Sequence, residues 1–223
     1  MPLKTKASLL LKNKAIQALL VFVVVFGLYL ANLPFDYKKN METRVPRRLI
    51  TSRDNLGNIF LPYLIVKHNT LDFTQKKDEI GRYTMYDQYY IVKINDGYYS
   101  KYPVLMGLMA LPIYLPALLL NKIPNLKTLR NVYKVLLLGR IAAAFYASLT
   151  VAIFYLILQR LRESYTKDIS LKVTLLFLFA FALGSNVWTI ASRSLWQHTS
   201  SLFLFTLTIY FLLLGLKNKK FIQ

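Results

Sequence analysis

The sequence predicts an all-α polytopic membrane protein with four transmembrane helices, or alternatively five, and a long extracytoplasmic loop. Within that loop we expect short juxtamembrane helices and a small β-hairpin. The first observation behind this fold class is composition: the 223 residues are 55% hydrophobic and 17% charged, whereas soluble domains are about 25% charged. The second is a set of five apolar runs, each close to the roughly 20 residues that cross a bilayer as a helix: 15–34, 102–120, 135–159, 173–191 and 199–216.

The third observation is the placement of the acidic residues. Eight of the ten lie between positions 35 and 101: Asp36, Glu42, Asp54, Asp72, Asp78, Glu79, Asp87 and Asp96. Carboxylate chemistry, if the protein performs any, is therefore expected in this one loop.

The amino-terminal residues set the orientation. Residues 1–14 carry Lys4, Lys6, Lys12 and Lys14, and basic residues that precede a first span stay in the cytoplasm. The run 15–34 is too long for a cleaved signal peptide and no small-residue cleavage site follows it, so we expect a retained signal anchor in the cytoplasmic (plasma) membrane. Residues 35–134 are then predicted to lie outside.

The run 102–120 decides the number of spans. It is apolar enough to cross, but Pro103, Pro112 and Pro116 remove backbone donors and kink a helix. If this run re-enters the outer interface or lies on it, eleven basic residues near span ends are cytoplasmic, and if it spans, eight are. The positive-inside rule favours the first arrangement.

The remaining boundaries follow from the four-span arrangement. The transmembrane helices are 135–159, 173–191 and 199–216. A cytoplasmic loop covers 160–172, an extracytoplasmic turn covers 192–198, and residues 217–223 form a cytoplasmic tail.

Two short elements are predicted inside the long loop. Apolar residues at helical spacing indicate a helix over 55–67, for which Asp54 is a suitable N-cap. Capping is the structural alternative to a catalytic role for Asp54, and the two roles do not exclude each other. The Asn95-Asp96-Gly97 turn between strand-forming residues indicates a β-hairpin within 83–101.

The net charge of +19 does not indicate nucleic-acid binding. No recognition motif accompanies the charge, and basic residues beside spans are typical of contact with membrane lipid headgroups. The absence of cysteine excludes disulfides and thiolate metal sites. His68 and His198 have no metal-ligand spacing, so no metal ligands are predicted.

Charged and aromatic residues at span ends are the candidates for function. Arg140 lies inside the run 135–159, where a charge costs about 2.5–3.5 kcal/mol on insertion scales and is functional by default; the alternative is that it snorkels to the interface. Arg193, Trp196 and His198 lie in the turn 192–198. By the charge count, that turn faces the same side of the membrane as Asp54.

Three stretches together resemble the N-terminal part of the GT-C class of polytopic membrane glycosyltransferases, in particular the mannosyltransferase-like and aminoarabinose-transferase-like members. They are 53–72, which begins Arg53-Asp54-Asn55, then 96–104 with Ser100-Lys101-Tyr102-Pro103, and 194–198. Members of this class take their sugar from a polyprenyl-phosphate donor at the extracytoplasmic face.

The resemblance implies a role for each candidate residue. Asp54 would be the general base towards an acceptor hydroxyl, while Lys101 and Arg140 would neutralise the phosphate of the leaving group. The other substrate-binding candidates are Arg53, Tyr102, Arg193, Trp196 and His198. Many members have a second acid in a later outer loop, but the turn 192–198 has none, so a divalent metal cofactor is unsupported.

The resemblance also bears on length, because whole members usually have eight or more spans. A 223-residue chain would be a fragment, half of a split enzyme completed by a partner chain, or a short relative. An enzyme is the favoured interpretation. The alternative is a non-catalytic integral membrane protein, a subunit or truncated relative that binds lipid-phosphate or a partner.

Overall fold

The computed structural model describes residues 13–31, 33, 52, 54–84, 90–164 and 170–217. Most of the chain is helical, with one small two-stranded sheet. In chain order the elements are α1 (Lys14–Ala31), α2 (Leu56–His68), α3 (Lys77–Thr84), β1 (Ile91–Ile94), β2 (Gly97–Ser100), α4 (Leu105–Leu119), α5 (Leu129–Ser164), α6 (Leu171–Leu183), a π-helix (Val187–Ala191) and α7 (Gln197–Lys217). The basic residues of 1–12 and 218–223 lie outside the described residues.

Three of the described helices are long and apolar enough to cross a membrane: Lys14–Ala31, Leu129–Glu163 and Gln197–Leu216. Two further apolar helices, Leu105–Leu119 and Leu171–Leu183, are shorter. The described chain is therefore mostly helical, with three helices of membrane-spanning length and apolarity. Helix α5 has 36 residues and is about 54 Å long, so it exceeds a hydrocarbon core of about 30 Å.

The run 173–191 was predicted as one continuous helix, but the structure shows two helical segments there. Helix α6 ends at Leu183, Gly184 serves as its C-cap, and the chain resumes as the π-helix Val187–Ala191. Serine hydroxyl groups donate hydrogen bonds to backbone carbonyls around this break: Ser185 Oγ donates to Phe181 O and Ser192 Oγ donates to Trp188 O. A break of this kind is tolerated in an apolar environment because side chains satisfy the carbonyls that it releases.

Helices α1 and α5 pack in opposite directions. Lys14, at the start of α1, forms an ion pair with Glu163 at the end of α5, and Tyr155 Oη donates to Gln17 Oε1 over 2.6 Å. Further along, the ring of Phe22 meets that of Phe145 edge-on at 5.4 Å. The start of α1 and the end of α5 therefore lie at the same end of the bundle.

Helix α2 is the centre of the largest core. Every residue from 56 to 64 is buried, and the helix packs against α4 and α5. The buried Tyr114 of α4 ties the three together, since its hydroxyl lies 3.0 Å from Ile59 O of α2 and 3.1 Å from Val135 O of α5. Close approach of α4 to α2 needs Gly107, where a Cβ atom would lie 2.8 Å from Leu61 Cδ2.

The predicted hairpin is present. Strands β1 and β2 pair antiparallel, with Ile91 opposite Ser100 and Ile94 opposite Gly97, and Asn95 adopts the left-handed conformation at φ 52°. Asp72 fastens the hairpin to the loop: its Oδ1 accepts from Tyr98 N at 2.9 Å and from the amide and hydroxyl of Thr74. Burial alone would raise the pKa of Asp72, but these hydrogen bonds outweigh it and the pKa is lowered.

Candidate functional site

Asp54 lies in the turn directly before α2 and is half-buried. It is not the N-cap of that helix, so the capping interpretation is wrong. Helix α2 begins at Leu56 with Asn55 as its N-cap, and no side-chain capping bond forms. The reason is that Asn55 already has helical backbone angles (φ −87°, ψ −12°), whereas a capping side chain needs the extended region to fold back over the first turn. Arg53 lies outside the described residues.

The helix that follows Asp54 contacts the turn 192–198 directly. Asn58 Nδ2 donates to Leu195 O over 3.3 Å, across 137 positions of sequence. Asn58, Ser194 and Leu195 are all buried. Among the described residues, Asn58 Oδ1 and Ser194 Oγ are buried polar atoms with no hydrogen-bond partner. The hydrogen-bonding capacity of these two atoms is therefore unmet at the junction.

Arg140 is brought to the same junction by α5. Arg140 as a residue is only 5% exposed, and the preceding Gly139 packs so tightly on α2 that a Cβ atom would lie 3.0 Å from Ile59 Cγ1. The Arg140 and Arg193 guanidinium groups are close enough to repel each other electrostatically. These two guanidinium groups, from distant parts of the chain, are called the arginine pair here, and an anion bound near them would relieve their repulsion.

Aromatic rings pack against the guanidinium group of Arg193. Its guanidinium carbon lies 5.9 Å from the centroid of the Trp188 ring, a cation–π arrangement. The Trp188 ring in turn lies 5.3 Å from that of Tyr29, whose hydroxyl donates to Ala182 O over 2.7 Å. Sequence reasoning missed Tyr29 and Trp188, although a signal existed: both tryptophans of the chain, at 188 and 196, flank Arg193.

A cavity of about 630 Å³ lies between the π-helix and α7. His198, which is exposed and stacks with Trp196 at 6.4 Å, lines it together with Asn186, Ile190, Ala191, Ser201, Leu202 and Phe205. The polar members at 186, 198 and 201 are combined with apolar ones, which is typical of small-molecule sites of 300–1,000 Å³.

The hairpin places Lys101 and Tyr102 near the start of α2. Gly57 allows this, because a Cβ atom there would lie 2.5 Å from Ser100 Oγ. The same hydroxyl donates to Tyr102 O, and Lys101 N donates to Tyr90 O at 3.0 Å. The Lys101 side chain is exposed. Two groupings result: Lys101 and Tyr102 lie near the first turn of α2, and Arg140 lies near Arg193.

No group of three or more His, Cys, Asp or Glu side chains that could hold a metal ion occurs within the part of the chain that the structure describes. The cationic groups that the junction does bring together are the guanidinium groups of Arg140 and Arg193.

The chain was compared with protein-family models, curated proteins and solved structures, and no family, protein or structure matched it.

Proposed function

We propose that this chain is a membrane glycosyltransferase, or the N-terminal portion of one, that transfers a sugar from a polyprenyl-phosphate donor at the extracytoplasmic face. The observation that carries the proposal is the arginine pair. The positive charges of Arg140 and Arg193 act on each other where α5 approaches the turn 192–198, and that turn is hydrogen-bonded to the helix that follows Asp54. A phosphate-binding pair and a carboxylate are the two groups that this transfer needs.

The proposed topology has four crossings with the N-terminus in the cytoplasm. It is supported by the Lys14–Glu163 ion pair and the Gln17–Tyr155 hydrogen bond. If α1 leaves the cytoplasm, an antiparallel α5 must return to it, so the segment around α4 crosses an even number of times. Its 15 residues give a helix of about 22 Å, short of a bilayer core, and we assign α4 to the outer side. Helix α6 is shorter still, but α6 and the π-helix together cover 171–191, and we count them as one crossing of about 30 Å.

Accessibility labelling tests this topology. The chain has no cysteine, so Ser164→Cys introduces a single reactive site at the end of α5. We expect that variant to react with a membrane-impermeant maleimide only after the cells are opened. Labelling from outside intact cells would refute the four-crossing arrangement.

The proposed reaction assigns one step to each group. Asp54 accepts the proton of an acceptor hydroxyl while the hydroxyl oxygen bonds to the anomeric carbon of the sugar. The bond from that carbon to the phosphate oxygen breaks, and the leaving polyprenyl phosphate takes up the electron pair as negative charge. Arg140 and Arg193 neutralise that charge, and the 630 Å³ cavity beside His198 holds the first part of the apolar chain.

The remaining candidate residues are assigned to the proposed substrate site. Lys101 and Tyr102 lie near the first turn of α2 and would contact the sugar or its phosphate, and Trp196 offers a ring face to a sugar.

The decisive variant is Asp54→Asn, which keeps the side-chain shape and removes the base. We expect the loss of one sugar modification from the cell-envelope glycans or lipids, with unchanged amounts of the protein in the membrane. Asp96→Asn is the matched control, because Asp96 is an exposed acid of the hairpin turn. An envelope profile that Asp54→Asn leaves unaltered would overturn the proposal.

A second candidate is a non-catalytic membrane protein that binds lipid-phosphate or a partner chain. It is favoured by the arginine pair and the cavity, because binding of a lipid phosphate needs a cationic site and an apolar site but does not need Asp54 as a base. In that case Arg193→Gln alters the phenotype of the cell and Asp54→Asn does not.

A further inference from the structure

A second apolar groove, of about 510 Å³, lies between α1 and α6, outside the site described above. Its walls include Val24 and Leu28 from α1, with Leu175, Leu176 and Phe179 from α6. Lys172 is the one charged residue among the described residues that line it.

The groove has the depth of one membrane leaflet. Lys172 lies in the first turn of α6, at one end of the groove, and Ala182 and Leu183 line the other end. From Lys172 to Leu183 the helix rises about 16 Å, which is half of a hydrocarbon core of about 30 Å. A hydrocarbon chain lying in the groove would therefore reach from the membrane surface to the bilayer centre.

The charged end of the groove lies at the same end of the bundle as the Lys14–Glu163 pair. Helix α5 ends at Ser164 beside the start of α1, and α6 begins only seven positions later. By the proposed orientation this is the cytoplasmic leaflet, where anionic lipids attract basic side chains.

We propose that this groove binds one acyl chain of an anionic phospholipid, with the lipid phosphate held by Lys172. The apolar walls supply the affinity for the chain, since Leu176 and Phe179 are 66% and 63% exposed and need hydrocarbon to cover them. Lys172 supplies the preference for headgroup charge, because a zwitterionic headgroup also presents a cation that the lysine repels. This site is independent of the arginine pair and of the proposed transfer reaction.

The absence of cysteine allows a site-specific test. A bimane fluorophore is attached to Phe179→Cys, where its ring replaces the phenyl ring in the groove, and the protein is reconstituted in vesicles. Quenching is measured with brominated-chain phosphatidylglycerol and, separately, with brominated-chain phosphatidylcholine. The matched control carries bimane at Phe211→Cys on α7, which is similarly exposed at 59% but does not line the groove.

At position 179 we expect phosphatidylglycerol to quench at lower mole fraction than phosphatidylcholine, whereas at position 211 the two lipids should act alike. Lys172→Gln should reduce the preference at 179 about fivefold, and Lys172→Arg should retain it. Equal quenching by both lipids at position 179, or a preference there that Lys172→Gln leaves intact, would overturn the proposal. The comparison of 179 with 211 decides the matter even if Lys172→Gln does not fold.

Discussion

The substitution Tyr114→Phe tests the core that holds the candidate site together. Tyr114 is fully buried, and its hydroxyl lies 3.0 Å from Ile59 O and 3.1 Å from Val135 O. A hydroxyl has one proton, so it donates to one carbonyl at a time. The substitution therefore removes one net hydrogen bond, worth about 0.5–1.5 kcal/mol. For a chain of this size about 1 kcal/mol corresponds to a fall in Tm of about 2–4 °C.

The assay is thermal unfolding of the purified protein in detergent, followed by circular dichroism. Tyr210→Phe is the matched control, because Tyr210 is a half-buried tyrosine on α7 outside this core, and its Tm should be unchanged. A Tm for Tyr114→Phe equal to that of the unsubstituted protein would refute the claim that this hydroxyl bridges α2 and α5. A fall above about 10 °C would exceed what the loss of one hydrogen bond accounts for.

Two further predictions concern Trp188 and Asp72. Trp188→Leu removes the ring that the Arg193 guanidinium contacts. In an equilibrium binding measurement it should weaken the affinity for a short isoprenyl phosphate about two- to thirtyfold, the range for a cation–π contact of about 0.5–2 kcal/mol. Unchanged affinity would show that the ring does not position the guanidinium. The pKa of Asp72 is lowered in the folded protein, so its stabilising effect is complete above the unfolded pKa and is lost as the pH falls through the folded pKa. Acid unfolding monitored by hairpin protection in hydrogen exchange should therefore show a step that Asp72→Asn abolishes, and an identical acid profile for the variant would contradict this account.

Local patterns accounted for the hairpin and for the existence of α2. The turn at 95–97 needs only adjacent residues, because Asn95 tolerates a positive φ and the flanking residues favour strands. Helical spacing placed a helix over 55–67, close to the observed Leu56–His68. Its complete burial from 56 to 64 could not be predicted, since that depends on α4 and α5 packing on either side.

Other features of the site depend on contacts that a single sequence does not reveal. Hydropathy treats 173–191 as one run, whereas the helix ends at Leu183, and hydroxyl groups that include that of Tyr29 satisfy carbonyls near the break. The Asp54 cap was wrong because Asn55 already has helical backbone angles. The proximity of Arg140 to Arg193 spans 53 positions and arises from tertiary packing alone.

The proposed transfer requires that a lipid-linked phosphate binds at the arginine pair, with its chain in the cavity beside His198. The most direct measurement is the equilibrium binding of a short-chain isoprenyl phosphate to the purified protein, with the corresponding free alcohol as the comparison ligand. We expect saturable binding of the phosphate that Arg193→Gln weakens at least tenfold and Asp54→Asn leaves intact, together with weak binding of the alcohol. Equal affinity for phosphate and alcohol, or phosphate binding that Arg193→Gln does not alter, would contradict it.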